Sequence, residues 1–132
     1  MKTIMIVEDH PGLRKTLGDW LRAVFPQCLV IEAESGEDAV ALGHAAPPHV
    51  IVMDIGLPGM NGIETTRAIK TVMPETCVVM LSIYEEDNYR QDARLAGASA
   101  YVAKRTMQTD LAPVLQGLLS DCDEIAVVES GL

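Results

Sequence analysis

The sequence predicts an α/β fold in which one sheet of five parallel strands is doubly wound, with helices on both faces. Three observations carry this prediction. Five short, nearly unbroken apolar runs recur along the chain, as strands covered on both faces require. Each is followed by a segment with helical spacing or with helix start and stop residues, and that alternation implies parallel pairing through right-handed crossovers. A length of 132 residues fits one domain, and a hydrophobic fraction of 48% with only 4% aromatic residues makes its core aliphatic. There are no internal repeats or low-complexity segments.

The first strand is read over Thr3 to Val7 and runs directly into two acids, Glu8 and Asp9. Pro11 stands where a first helical residue would, and Leu13, Leu17, Trp20, Leu21 and Val24 form a helical stripe, so the first helix is expected from Pro11 to Val24, ahead of Pro26. Cys28 to Ala33 is the second strand. Ser35 followed by Asp38 resembles a helix cap with an acid in the first turn, and that helix should end near Ala46, before Pro47 and Pro48. In the stretch HVIVMDIGLPGMNG, Val50 to Met53 form an unbroken apolar third strand that stops at Asp54. Gly56, Pro58, Gly59, Asn61 and Gly62 then read as a loop, with Asn61 capping a helix from Ile63 to Val72.

Thr76 to Leu81 is the fourth strand and ends at Ser82. A helix over Glu86 to Ala96 closes on Gly97, the residue best suited to a left-handed cap. Ser99 to Ala103 is the fifth strand, ending at Lys104. The last helix carries Leu111, Val114, Leu115 and Leu118, and Pro113 must sit in its first turn or kink it. The domain is expected over residues 1–120, with 121–132 an acidic tail or the start of a linker.

A formal net charge of −9, with only 10 scattered Lys and Arg residues, argues against direct nucleic-acid binding, which rests on neutralising phosphates. The five-residue apolar run near the N-terminus is too short for a signal segment, and no run approaches the roughly 18 residues of a membrane span, so a cytoplasmic chain without membrane contact is expected. Cys28, Cys77 and Cys122 form no paired motif. Cys28 and Cys77 are expected as small buried hydrophobes.

A parallel sheet brings the ends of strands one, three, four and five to one edge, and with them Glu8, Asp9, Asp54, Ser82 and Lys104. The crevice outside those strand ends is where open α/β sheets bind ligands. Taken alone, an Asp at a strand end is more often a cap than a nucleophile, but the company of two acids, a hydroxyl and a lysine reverses that reading. Three clustered carboxylates raise one another's pKa unless a cation compensates them. Hard oxygen ligands select Mg²⁺, which keeps room for a phosphoryl oxygen. With a phosphoryl group on Asp54, Lys104 offers a charge and Ser82 a donor, and an aspartyl-phosphate is known chemistry for a carboxylate nucleophile. His10, His44 and His49 are read as non-catalytic, since Mg²⁺ prefers oxygen.

At these residues the chain resembles the receiver domain of two-component response regulators. The resemblance covers about Met1 to Leu119 and rests on VEDH at 7–10, MDIGLPGMNG at 53–62, LS at 81–82 and AYVAK at 100–104. EDHP and the DxxLPxMNG loop resemble most the NarL/FixJ subfamily, whose receivers precede a LuxR-type helix-turn-helix domain. The resemblance implies a flavodoxin/CheY-like sheet of strand order 2-1-3-4-5. It implies Asp54 as phosphoacceptor, a Mg²⁺ site made of Glu8, Asp9, Asp54 and the Gly56 carbonyl, phosphoryl contacts from Ser82 and Lys104, and a switch formed by Ser82 and Tyr101. As an aromatic on an edge strand, Tyr101 also has a plain packing role open to it. The implied partners are a sensor histidine kinase and a second copy of the chain on phosphorylation, with output through the fourth helix, fifth strand and fifth helix. The domain would be a signalling phosphoacceptor, assisting only its own phosphorylation and dephosphorylation.

Two departures bear on rates: Ile83 follows the hydroxyl residue where many receivers have a small one, and Gly56 lacks the side chain that often tunes hydrolysis. A haloacid dehalogenase-type phosphatase would need an acid at position 56, and a flavodoxin would be repelled by Glu8 and Asp9. The rival that stays open is an unphosphorylated pseudo-receiver acting as a protein-binding module. Whether the chain acts alone or as part of a longer regulator is likewise open.

Overall fold

Residues that alternate along a buried strand must feed two different cores, and the strands of this chain do so. The computed structural model describes the backbone of residues 1–131 and the side chains of residues 1–120. The order is β1 (Thr3–Val7), α1 (Pro11–Val24), β2 (Leu29–Ala33), α2 (Gly36–Ala45), β3 (Val50–Asp54), α3 (Gly62–Val72), β4 (Cys77–Ser82), α4 (Asp87–Ala96), β5 (Ala100–Ala103), a single 3-10 turn (Lys104–Thr106) and α5 (Met107–Gly131). The five strands are parallel in the order β2-β1-β3-β4-β5, the order implied by the sequence resemblance.

Ile4, Ile6, Val50, Val52, Val79 and Leu81 pack on one face against Leu17 and Leu21 of α1 and Leu111 and Leu115 of α5. Met5, Val7, Ile51, Met53, Val78 and Met80 pack on the other against Ala39 of α2, Ile69 of α3 and Ala93 of α4. Because the side-chain period is two, a slip of one residue in any strand would exchange these faces. The register is therefore strongly specified. It sets Val7 beside Met53, Asp54 beside Leu81 and Ser82 beside Ala103, so the polar strand ends lie level.

Helix starts follow local chemistry. Ser35 caps α2 by accepting from the Asp38 amide, and Asn61 and Glu64 form a reciprocal capping box at α3. Gly97 takes φ of 109° and ends α4 in the left-handed conformation.

The sequence expectations need four adjustments. Three strands begin one residue later than expected: Cys28 closes the turn after α1 by donating to the Phe25 carbonyl, while Thr76 and Ser99 precede the β4 and β5 ladders. Cys28 and Cys77 are half-buried at the margin of the core, not fully inside it. Pro113 lies inside α5, beyond its first turn. Ile55 and Leu57, expected only as loop residues, are buried and belong to the core. The side chains of the expected acidic tail, 121–132, that of Cys122 among them, lie outside the described ones. Among the described residues, no helix is long and apolar enough to cross a membrane.

Two substitutions on α5 should have opposite signs. Leu115→Ala empties a fully buried position and should cost about 2–5 kcal/mol. Gly117→Ala adds a methyl group where nothing stands within 4 Å and should stabilise by roughly 0.5–1 kcal/mol through helix propensity. Urea unfolding of both variants checks the pair.

Candidate functional site

The site is built where the strands stop. Glu8 follows β1 directly; its amide donates to the Ala33 carbonyl at 3.1 Å and its carboxylate accepts from the His10 amide at 3.2 Å. The side chain is almost wholly buried at 2% exposure, whereas Asp9 stands exposed next to it. Asp54 closes β3 at 8% exposure, and its Oδ1 accepts from the Gly56 amide at 3.2 Å. Carboxylate oxygens of Glu8, Asp9 and Asp54 all lie within 4.8 Å of one another. Lys104 reaches in from the end of β5, with Nζ 3.1 Å from Glu8 Oε1 and 3.4 Å from Asp54 Oδ1.

The loop after Asp54 holds its shape by a close approach that only glycine permits. A Cβ at Gly62 would stand 2.2 Å from the Asp54 carbonyl oxygen, while the Gly62 amide donates to Ile55 at 3.0 Å. Buried Ile55 and Leu57 anchor the same loop. Gly56 is exposed, and a Cβ there would meet Asp54 Oδ1 at an ordinary 3.9 Å, so a side chain at this position would face the carboxylate.

Ser82 is buried at the end of β4, and its hydroxyl oxygen accepts from the Tyr84 amide at 2.9 Å. The Tyr101 hydroxyl donates to the Tyr84 carbonyl, and the Arg90 guanidinium lies 4.7 Å from the centre of the Tyr101 ring. Ser82 and Tyr101 thus grip the same loop residue from two strands. Ile83 is 68% exposed. His10 caps α1 by accepting from the Leu13 amide at 3.1 Å, and His49 accepts from the Thr3 amide at the opposite end of the sheet. The sequence reading placed His10 at the helix start but not its side chain as the cap, and it missed Gly62 as a close contact and the Arg14 guanidinium, which donates to the Glu8 carbonyl at 2.9 Å.

Burial is the first cause that raises the pKa of Glu8, and Asp54 adds to it; the His10 amide and Lys104 pull the other way without reversing the shift. Mutual repulsion, the cause expected from sequence, does raise this group but contributes less than burial. Burial alone would lower Lys104, but Asp54 and Glu8 outweigh it and hold the ammonium above its ordinary value. Burial likewise raises the Tyr101 phenol, against the opposing pull of Ser82 and Arg90.

Three carboxylates facing one ammonium leave two formal negative charges among oxygen-only donors, which fits a hard divalent cation such as Mg²⁺.

Residues 4–116 match the family model of the response regulator receiver domain. The chain belongs to this family. It is 33% identical over 113 residues to the response regulator protein VraR of Staphylococcus saprophyticus, covering 86% of this chain and 54% of that protein. It is 40% identical over 112 residues to the DNA-binding transcriptional activator DevR/DosR of Mycobacterium tuberculosis, covering 85% and 52%. The receiver therefore spans about half the length of these curated relatives. Among solved structures, a LuxR-family two-component response regulator from an Aurantimonas species superposes with a TM-score of 0.85 at 30% identity, over 90% of this chain and 85% of that one. The response regulator TrrA of Thermotoga maritima, solved in complex with Mg²⁺ and BeF, gives 0.79 at 28% identity, over 89% and 99%.

The receiver's buried acid has a consequence for stability. A carboxyl whose folded pKa is raised favours the fold fully at acid pH, below its ordinary range, and that contribution is lost as pH rises through the folded value. Glu8→Gln, which mimics the protonated form, should match the parent at acid pH and exceed it in stability at neutral pH. Chemical denaturation across pH 4 to 8, in the absence of divalent metal, checks the sign.

Proposed function

We propose that the domain accepts one phosphoryl group on Asp54 from the phosphohistidine of a sensor histidine kinase, and that the modification switches its α4, β5 and α5 face. The observation that carries this reading is the convergence of Glu8, Asp9 and Asp54 within 4.8 Å, with Lys104 bridging two of them. Among the described residues, both contacts to the Asp54 carboxylate fall on Oδ1, which leaves Oδ2 as the attacking oxygen. That oxygen forms a bond to phosphorus as the phosphorus–nitrogen bond breaks, and the donor histidine keeps the electron pair of the bond it loses. Glu8, Asp9, Asp54 and the Gly56 carbonyl would hold Mg²⁺, whose charge would let a dianion approach the acids. Lys104 exchanges a carboxylate contact for a phosphoryl oxygen, and the Ser82 hydroxyl donates to another.

The switch reading is supported by the shared hold of Ser82 and Tyr101 on Tyr84. A Ser82 drawn toward a phosphoryl group alters its bond with the Tyr84 amide, and Tyr101 must follow the Tyr84 carbonyl. Between α4 and β5 lies a cavity of about 390 Å³ lined by Arg90, Arg94, Ser99 and Tyr101, where such a movement would change the surface. The named relatives include a DNA-binding transcriptional activator. Transcription control by the whole regulator would then need a segment other than this acidic domain, which we take to signal through a second copy of itself or another protein.

Incubation with Mg²⁺ and a small phosphodonor, read by intact mass, should add one phosphoryl group to the parent and none to Asp54→Asn or to metal-free protein. Labelling of Asp54→Asn would overturn the assignment. A parent that stays unmodified with both small donor and kinase would make the domain an unphosphorylated binding module.

Lys104→Ala should still be labelled but should show smaller amide shifts in α4 and β5 than the parent on phosphorylation. Sedimentation with a beryllofluoride mimic should show the parent moving from monomer toward dimer, and Tyr101→Ala failing to do so. Equal amide shifts in parent and Lys104→Ala would mean that the lysine does not couple chemistry to switching.

A further inference from the structure

We propose that Arg14 is a positioning residue for the divalent-cation site, held in place by Glu32, which sets the direction of the turn that presents Asp9. The inference rests on the reading of the acidic cluster as a Mg²⁺ site. Arg14 lies in the first turn of α1, half-buried, and its Nη1 donates to the Glu8 carbonyl at 2.9 Å. Its Nε lies 3.6 Å from Glu32 Oε1. The other oxygen of Glu32 takes Arg22 Nη2 at 3.0 Å, and that same nitrogen donates to the Val30 carbonyl at 3.1 Å. The Glu32 carboxylate is thus held between two guanidinium groups two helical turns apart on α1.

The room for this arrangement comes from Gly18, midway between the two arginines. A Cβ there would stand 2.8 Å from Glu32 Oε2 and 2.9 Å from Arg22 Nη1. With no side chain at that position, Glu32 crosses from β2 to lie over the helix. The planar fork of Arg14 is ordered before it meets the Glu8 carbonyl, so little freedom is lost in making that bond.

The Glu8 carbonyl belongs to the peptide that joins Glu8 to Asp9. Its orientation is set by the Glu8 amide on Ala33, the Arg14 guanidinium on the carbonyl itself, and the His10 amide on the Glu8 carboxylate. Among the described residues, no hydrogen bond or ion pair ends on the Asp9 carboxylate, so the peptide that carries it decides where it points. Of the three contacts, Arg14 alone acts directly on that peptide and brings a side chain from outside the acidic turn. Partners that orient metal ligands without touching the metal typically govern affinity by tenfold or more.

Calorimetric titration of the intact chain with Mg²⁺ tests this, with unfolding measured on the same samples. Arg14→Ala should weaken Mg²⁺ binding roughly tenfold. Arg14→Lys, which can reach the Glu8 carbonyl but cannot also face Glu32, should recover part of the loss. Glu32→Gln should weaken binding less and in the same direction, and it keeps the question answerable if Arg14→Ala fails to fold. Unchanged Mg²⁺ affinity in Arg14→Ala or, where that variant does not fold, in Glu32→Gln would reduce the cluster to a clamp between α1 and β2 and overturn the proposal, whatever happens to stability. No Mg²⁺ binding by the parent would remove the metal-site reading first, and this inference with it.

Discussion

The carboxyl edge of the sheet depends on one ammonium group. Lys104 stands between Glu8 and Asp54 and so joins the ends of β1, β3 and β5 across the strands that separate them. Removing Glu8 and Asp54 from water is costly, and burial shows itself in the raised pKa of Glu8. The acids are nevertheless held together because the strands that carry them are pinned by two aliphatic cores whose faces a register slip would exchange. One ammonium does not neutralise three carboxylates. The remaining negative charge is the physical reason that the edge suits a divalent cation, and no other group of three or more metal-ligating side chains this close occurs among the described residues.

Much of this was legible in the sequence, and for an identifiable reason. In a doubly wound fold the central strands are buried on both faces, so β1, β3 and β4 appear as apolar runs with sharp polar ends, and those polar ends form the candidate site. Helix caps at Ser35 and Asn61 and the glycine at 97 were equally plain, since each acts on neighbours within a few residues. Strand starts were less sharp. Thr76 is apolar enough to extend the run, yet its hydroxyl bonds the Pro48 carbonyl and its amide bonds Met73, so it belongs to the turn.

What the sequence hid depends on contacts between distant segments. One exception is local: His10 is not a favoured cap residue, and its role follows from Pro11 fixing the first turn while the imidazole folds back to Leu13. Ile55 and Leu57 sit among glycines and prolines and carry no periodicity, yet both are buried and tether the loop beside Asp54. Gly62 reads as turn chemistry, but its necessity is steric, since the Asp54 carbonyl occupies the space of its absent side chain. The link from Arg14 to Glu32 needs the β1 and β2 register and the missing side chain of Gly18 together, and neither is a local signal.

The division between rigid strand ends and a lightly held loop also indicates where a signal can travel. The strand residues behind Ser82 are buried, and moving them would disturb a packed interior in which single large-to-small changes cost several kcal/mol, whereas the Ser82 hydroxyl needs only a side-chain rotation. Ile83, Tyr84, Glu85 and Glu86 are exposed and are held mainly by separable polar contacts: the Tyr84 amide on Ser82, the Tyr101 hydroxyl on the Tyr84 carbonyl, and Arg105 on Glu85. Hydrogen bonds of this kind contribute about 0.5–1.5 kcal/mol each, and couplings between sites commonly amount to about 1–3 kcal/mol. A charge change at Asp54 of that size can rearrange the loop but not the strands. Since Arg105 follows Lys104 directly and pairs with Glu85 of the same loop, a pull on Lys104 and a pull on Ser82 arrive at one segment from two sides. The two pulls meet at the start of α4, so that helix, and not the strands, is the element the proposed event would bias.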